Sequence, residues 1–169
     1  MIGRLFSLLS LFGICMVYAQ RPGTVPSDSL LGMEYDALFD KIKSAGKDIR
    51  VQHIYLKAYL DKARAENNGE EMVQAYKNYL HRSVGETRLL YADSMVFTAQ
   101  SARNVSLMGS AYLTKGIVFY SAKQYKEALD NYLLANQFLA GTNDAYLQHK
   151  LKYNIALVKY YTEHYDEAL

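Results

Sequence analysis

Small and aromatic residues recur in this chain at a spacing of about 36 residues. The clearest stretch runs from Tyr112 through Gly116, Phe119, Tyr125, Ala128 and Tyr132 to Ala135. Shifts of about 36 residues towards the N-terminus reach first Tyr76, Leu80, Ala92, Val96 and Ala99, and then Leu56, Leu60 and Ala63. Towards the C-terminus, a shift of about 40 residues reaches Ala156, Tyr165 and Ala168. A period of this length is typical of repeat folds, in which each repeat is one supersecondary unit.

Helix is the only regular structure that the composition favours. Both prolines, Pro22 and Pro26, precede Leu30, and the rest of the chain has none. Proline disrupts helix interiors, so its absence from a segment rich in Ala, Leu, Lys, Gln and Glu favours helix throughout. Apolar residues at helical spacing predict eight helices, near 30–45, 48–66, 70–82, 86–103, 105–121, 125–139, 143–162 and from 165 to the end. Short turns containing Gly, Asn and Asp make successive helices antiparallel.

The clearest stretch resembles the tetratricopeptide repeat. The family's first aromatic, glycine, tyrosine, first alanine, second aromatic and last alanine are matched here by Tyr112, Gly116, Phe119, Ala128, Tyr132 and Ala135. Two features differ from the family pattern, since Lys115 replaces the usual leucine and no proline closes the repeat near Ala140. The match is strong over 109–139, good over 149–169, moderate over 73–104 and weak over 30–66.

This resemblance implies an all-α fold, in which antiparallel helix hairpins stack as a right-handed tetratricopeptide-type solenoid with a concave face. The repeats would cover about 30–66, 70–104, 105–140 and 143–169, the last one truncated. We expect Gly116 and Ala128 to face each other where two helices of a hairpin approach most closely, because larger side chains would separate the backbones. A truncated last repeat without a capping helix predicts a fragment of a longer protein.

The first 19 residues have the composition of a cleavable signal peptide. Arg4 is their only charge, Leu5 to Tyr18 is an unbroken run of apolar and small residues, and small residues precede a cleavage site after Ala19. We therefore expect an exported, periplasmic protein, in which residues 20–29 form an extended leader. The alternative is an uncleaved membrane anchor, but a run of about 14 residues is shorter than the ~20 that a spanning helix needs.

Cysteine chemistry is confined to the signal segment. Cys15 is the only cysteine, and Ile14 before it is larger than the small residue that a lipoprotein signal requires. A mature chain without cysteine excludes disulfides, thiolate metal sites and cysteine nucleophiles.

We found no pattern that indicates catalysis, a metal or a cofactor. The four histidines His53, His81, His149 and His164 belong to no recognised ligand motif, and there is no phosphate-binding glycine loop or nucleophile elbow. A formal net charge of +2, from 19 basic and 17 acidic residues, gives no strong field for nucleic acid. The sequence predicts a binding protein and not an enzyme.

The family's groove positions, counted from the glycine on the first helix of each hairpin, identify a candidate binding surface. They correspond to Lys77, His81, Leu113, Ile117, Tyr120, Ser121, Tyr153, Leu157, Tyr160 and Tyr161. A groove rich in tyrosine and poor in charge suits an apolar or extended peptide. The alternative is that another part of the same chain covers this surface.

The leading hypothesis is an exported scaffold that binds a peptide or partner protein on its concave face. The signal peptide and the lengthened repeats also resemble the exported repeat sensors of Bacteroidetes-type bacteria. That resemblance implies the sensor region of a helix-turn-helix regulator or histidine kinase, whose membrane helix and output domain would lie beyond this segment. A helical hydrolase or lytic enzyme is the third hypothesis, and the lack of a paired acid, a nucleophile or a metal ligand disfavours it.

Overall fold

A computed structural model describes residues 27–166, with side-chain burial defined from residue 29 to residue 162. The predicted signal peptide, its Cys15 and most of the leader lie outside the described residues, as do positions 167–169. The described residues form eight helices and no strand. The helices are α1 (Ser27–Leu31), α2 (Tyr35–Ser44), α3 (Ile49–Ala65), α4 (Gly69–His81), α5 (Glu86–Ser101), α6 (Val105–Ser121), α7 (Tyr125–Leu139) and α8 (Ala145–Asp166). The predicted all-helical class is confirmed.

The bounds of α3 to α7 lie close to those predicted, but both ends of the described chain differ. The predicted helix 30–45 is two helices, because the chain turns between Leu31 and Tyr35, and α1 already begins at Ser27 within the predicted extended leader. At the other end, α8 continues to Asp166, so the predicted break near residue 163 is wrong. No Gly, Asn or Pro lies between Val158 and Asp166, and the helix therefore has no stop signal there.

The turn that precedes α4 recurs before α6, one period later. Asn67 and Arg103 both adopt a left-handed backbone, with φ of 51° at each. The next residues, Asn68 and Asn104, are helix N-caps whose side chains accept hydrogen bonds from the backbone N–H of Glu71 and Leu107. Since an N-cap amide satisfies a helix-terminal donor, both turns begin the following helix in the same way.

From α2 to α8, each helix packs against its neighbours along the chain, and α1 packs against α3. Beyond these contacts, α4 also contacts α6, and α6 contacts α8. The buried residues form three successive clusters, built from α1 to α4, then from α4 to α6, and finally from α6 to α8. The core is therefore continuous along the chain, because α4 contributes side chains to the first two clusters and α6 to the last two.

The predicted close approach of α6 and α7 at Gly116 is confirmed. A Cβ atom on Gly116 would lie 2.5 Å from Cδ1 of Tyr132 and 3.1 Å from the carbonyl oxygen of Ala128. A Cβ on Gly109, two turns earlier in α6, would likewise overlap Leu139 near the end of α7. Gly109 precedes Gly116 in α6, whereas its partner Leu139 follows Tyr132 in α7. The two helices therefore run antiparallel.

Between residues 27 and 166, no helix combines the length and the apolar character that crossing a bilayer requires.

Candidate functional site

The ten predicted groove residues lie on three helices that contact one another in turn. Lys77 and His81 lie on α4, and the other eight are divided equally between α6 and α8. Since α6 contacts both α4 and α8, these alternate helices form one layer of the fold.

Four tyrosines from α6, α7 and α8 form one aromatic group, which we call the tyrosine cluster: Tyr120, Tyr125, Tyr160 and Tyr161. The Tyr161 ring is central, with its centroid 6.0 Å from Tyr120, 5.7 Å from Tyr125 and 5.5 Å from Tyr160. The rings of Tyr125 and Tyr161 are nearly parallel, at 8°. The structure thus brings together three of the predicted residues, with Tyr125 as an addition.

The tyrosine cluster is open to solvent on α8. Tyr160 is 58% exposed and Tyr161 is 38% exposed, whereas Tyr120 and Tyr125 are half-buried beneath them. Burial, together with the neighbouring Tyr161, raises the pKa of Tyr120. Exposed tyrosine rings offer a partner both flat apolar area and a hydroxyl group for hydrogen bonds.

Other predicted groove residues differ in accessibility. Leu113 is only 2% exposed and packs in the third core cluster, so its side chain is not part of the surface. Ile117 and Leu157 are half-buried. Tyr153 is 64% exposed on α8 and extends the surface beyond the tyrosine cluster. Leu113 followed the family numbering, but its apolar side chain is better buried between α6 and its neighbours.

The α4 end of the surface carries more charge than the sequence predicted. Partial burial lowers the pKa of His81, and four cations lower it further: Lys77, Arg88, Arg82 and Lys150. These cations come from three helices or their ends, since Arg88 is in α5 and Lys150 is in α8. We call Lys77, His81, Arg88 and Lys150 the basic end.

A cleft of about 600 Å³ adjoins the basic end. It is lined by residues around the start of α5 and the end of α6, namely Gly85, Glu86, Arg88, Leu89, Val118, Phe119, Ser121, Ala122 and Gln124. Arg88 spans the two helices, because its Nη1 donates a hydrogen bond to Oγ of Ser121 at 3.0 Å. Ser121 was predicted as a groove residue, and the structure places it on the wall of this cleft.

Sequence reasoning missed Arg88 and Lys150 as parts of the surface. Arg88 lies on α5, whereas the predicted groove residues were taken only from α4, α6 and α8. One sequence signal was present, because Arg88 lies in the first turn of α5, where the helix dipole disfavours a cation. A cation that opposes the dipole indicates a role other than helix stabilisation.

Catalytic and metal chemistry gain no support from the described residues. Within 27–166 there is no group of three His, Cys, Asp or Glu side chains that could hold a metal ion. His53 packs against the ring of Tyr79, with the centroids 5.9 Å apart. In the same part of the chain, every buried side-chain nitrogen and oxygen has a hydrogen-bond partner. The surface is suited to binding through rings, cations and hydroxyls.

Comparison of the chain with protein-family models, with curated proteins and with solved structures finds no match.

Proposed function

We propose that the chain is an exported scaffold that binds a peptide or partner protein on the surface formed by α4, α6 and α8. In this proposal the helices stack as a tetratricopeptide-type solenoid. Three observations support the stack: the sequential helix contacts, the additional α4–α6 and α6–α8 contacts, and the turn that recurs one period later.

The observation that carries the binding proposal is the tyrosine cluster. Tyr160 and Tyr161 keep large parts of their rings exposed, although Tyr120 and Tyr125 pack against Tyr161 from α6 and α7 and Tyr160 packs against Tyr161 within α8. Tyrosine contributes large contact area with few rotatable bonds, so a supported ring loses little entropy on binding. A partner covering these rings would be held mainly by burial of apolar area, with the hydroxyls setting its orientation.

Selection of peptides from a random dodecapeptide phage library on the purified chain tests this proposal. The affinity of a selected peptide is then measured by fluorescence anisotropy for the unchanged chain and for Tyr161→Ala. We expect Tyr161→Ala to weaken binding by about tenfold or more, because a central aromatic contact is lost. The matched control is Phe97→Ala, since Phe97 is 72% exposed on α5 and outside the tyrosine cluster.

Two outcomes contradict the binding proposal. One is equal loss of affinity in Phe97→Ala and Tyr161→Ala, which would indicate nonspecific adhesion to exposed aromatic rings. The other is the absence of any enriched peptide after selection, with the chain still helical by circular dichroism.

Export is a separate part of the proposal, and the apolar run from Leu5 to Tyr18 supports it. Fusing residues 1–30 to a phosphatase that is active only outside the cytoplasm tests it. We expect activity from this fusion and none from a fusion in which Leu8 and Leu9 are replaced by Arg. Equal activity of the two fusions would contradict export through this segment.

A further inference from the structure

The basic end places positive charge on α4 and α5, which pack against each other, and on α8. Lys77 and His81 are one turn apart on α4, and Arg88 lies in the first turn of α5, where it lines the cleft and donates to Ser121. Arg88 in α5 and Lys150 in α8 are among the cations that lower the pKa of His81. Arg82, also near His81, has its guanidinium engaged by Gln52 and Asn78. Like charges from separate elements repel one another, so an arrangement of this kind favours a negatively charged occupant.

Carboxylates of the described residues do not neutralise this charge. None of the ion pairs found among them involves Lys77, Arg88 or Lys150. Glu86 lines the cleft beside Arg88, and Arg88 itself donates to the neutral hydroxyl of Ser121. Among the described residues, Lys77, Arg88 and Lys150 therefore have no carboxylate within ion-pair distance.

The adjoining cleft adds an apolar wall to the same place. Leu89, Val118 and Phe119 line it, and Arg88 lines it too while also belonging to the basic end. A ligand that reaches both features must combine an anionic group with an apolar group a few ångströms away. A peptide in which an acidic residue neighbours a large apolar residue has this combination.

We propose that the cleft and the basic end bind an acidic peptide segment, with a carboxylate near Arg88 and His81 and an apolar side chain in the cleft. This inference rests on the proposed function and specifies the chemistry of the peptide. Charge complementarity sets the register of the segment, and burial of its apolar side chain against Phe119 adds affinity.

His81 makes this binding depend on pH. Four cations, Lys77 and Arg82 on or next to α4, Arg88 in α5 and Lys150 in α8, disfavour its protonation in the free chain, and Glu86 is the acidic residue on the cleft wall. A bound carboxylate favours the protonated imidazole, so binding takes up a proton and strengthens as pH falls. The peptide carboxylates remain ionised down to about pH 5.

Three fluorescein-labelled hexapeptides test the proposal with the full chain. The first has two central glutamates flanked by leucines, the second has glutamines in place of the glutamates, and the third has serines in place of the leucines. By fluorescence anisotropy, we expect the second and the third to bind about tenfold or more weakly than the first. Equal binding of the first two peptides would overturn the inference.

Arg88→Gln tests the location, because glutamine keeps a hydrogen-bond donor and removes the charge. We expect it to weaken binding of the acidic peptide by about tenfold and to leave binding of the glutamine peptide unchanged. The matched control is Lys126→Gln, an equal change in net charge at an exposed position of α7. If both variants weakened binding equally, the peptide would be attracted by the net charge of the chain and not by Arg88, and the proposed site would be wrong.

The pH dependence provides an independent readout. Between about pH 8 and about pH 5.5, we expect the acidic peptide to bind about threefold or more tightly. His81→Gln should remove this dependence, whereas His149→Gln, at an exposed position of α8, should keep it. Persistence of the dependence in His81→Gln would overturn the role of His81.

Failure of the inference is distinguishable from failure of the proposed function. If selected neutral peptides bind and lose affinity in Tyr161→Ala but not in Arg88→Gln, the scaffold proposal stands and the acidic segment is excluded. If no peptide binds at all, both fail.

Discussion

The α6–α7 hairpin and the N-terminal helices α2 and α3 are held in place by different kinds of contact. In the hairpin, two backbones approach closely because Gly116 leaves room for the ring of Tyr132, which is fully buried. Ala128 and Ala135, on the same face of α7, are also fully buried. Small side chains and one large ring thus define the separation of the two helices.

The N-terminal helices rely more on polar contacts at the margin of their core. Leu38, Ile42 and Leu56 are buried there. Around them, the hydroxyl of Tyr35 donates to Oε2 of Glu66 at 2.6 Å. The Lys62 ammonium lies 2.7 Å from the other oxygen of the same carboxylate. These long side chains join α2 to the end of α3 through polar groups at the edge of the core.

This difference explains why the repeat pattern fades towards the N-terminus. Close backbone approach requires a small residue at a fixed helical position, so it leaves a periodic mark in the sequence. Contacts between long polar side chains can be made from several positions and by several residue types. They therefore do not require a particular residue to recur at a fixed spacing in the sequence. The spacing of small and aromatic residues is accordingly clear over 109–139 and weak over 30–66.

Removing the ring of Tyr132 should have the largest effect on the hairpin. We expect Tyr132→Ala to lower the free energy of unfolding by about 3–5 kcal/mol, because a fully buried ring leaves a cavity. Urea denaturation followed by circular dichroism measures the loss. Tyr132→Phe is the control, since it removes only the hydroxyl contact to Asn154 and should cost about 0.5–1.5 kcal/mol. If Tyr132→Ala lowered the free energy of unfolding by less than Tyr132→Phe does, the hairpin would not depend on the ring.

Adding a methyl group at Gly116 tests close approach directly. Alanine is the better helix former by roughly 0.5–1 kcal/mol, yet its Cβ would overlap Tyr132. We expect Gly116→Ala to lower the free energy of unfolding by about 1–3 kcal/mol because overpacking outweighs propensity. The control is Gly141→Ala, where an added Cβ meets no atom within 4 Å. Stabilisation by Gly116→Ala would contradict close backbone packing.

Much of the helical architecture is predictable from residue spacing alone. The bounds of α3 to α7 and the contact of Gly116 with α7 follow from periodicity and small residues. The break between α1 and α2 was missed because Gly32 alone is a weak stop signal inside an apolar pattern. The end of α8 was misplaced because the family pattern was continued past Tyr161, although no helix-breaking residue follows it.

The candidate surface was predictable only in part. Tyr120 and Tyr161 were identified because the family pattern assigns both to first helices, and the structure brings their rings together. Leu113 satisfies the same numbering, but its burial depends on how neighbouring helices cover it. Arg88 and Lys150 join His81 only through tertiary packing, which a periodic pattern does not encode.

Tyr59→Phe tests how much the polar contacts of the N-terminal helices contribute to stability. Tyr59 is buried, and its hydroxyl donates to Glu71 across α3 and α4. Removing a hydrogen bond to a carboxylate should lower the free energy of unfolding by about 1–2 kcal/mol at neutral pH. The ring of Tyr35, 5.0 Å away, remains packed in the variant, so the loss reports the hydroxyl.

The same variant carries a pH prediction. Burial first, and then the hydrogen bond to Glu71, raises the pKa of Tyr59 above its usual value near 10. A raised pKa gives stability that is complete below about pH 10 and is lost as pH rises further, because the unfolded chain ionises first. We therefore expect the unchanged chain to lose more stability than Tyr59→Phe between about pH 9 and about pH 11. Parallel losses in the two proteins would contradict the role of this hydroxyl.

Tyr160→Ala should have the smallest effect on stability, and it separates packing from binding among the tyrosines. Tyr160 contacts the edge of Tyr161 but is mostly exposed, and alanine has the higher helix propensity, so the two contributions nearly offset. We expect the free energy of unfolding to change by no more than about 0.5 kcal/mol, as for other surface substitutions. Binding of a selected peptide should nevertheless weaken, since the exposed ring is part of the tyrosine cluster. A stability loss close to that of Tyr132→Ala would place Tyr160 in the core, and the tyrosine cluster would then extend the hairpin's packing into α8.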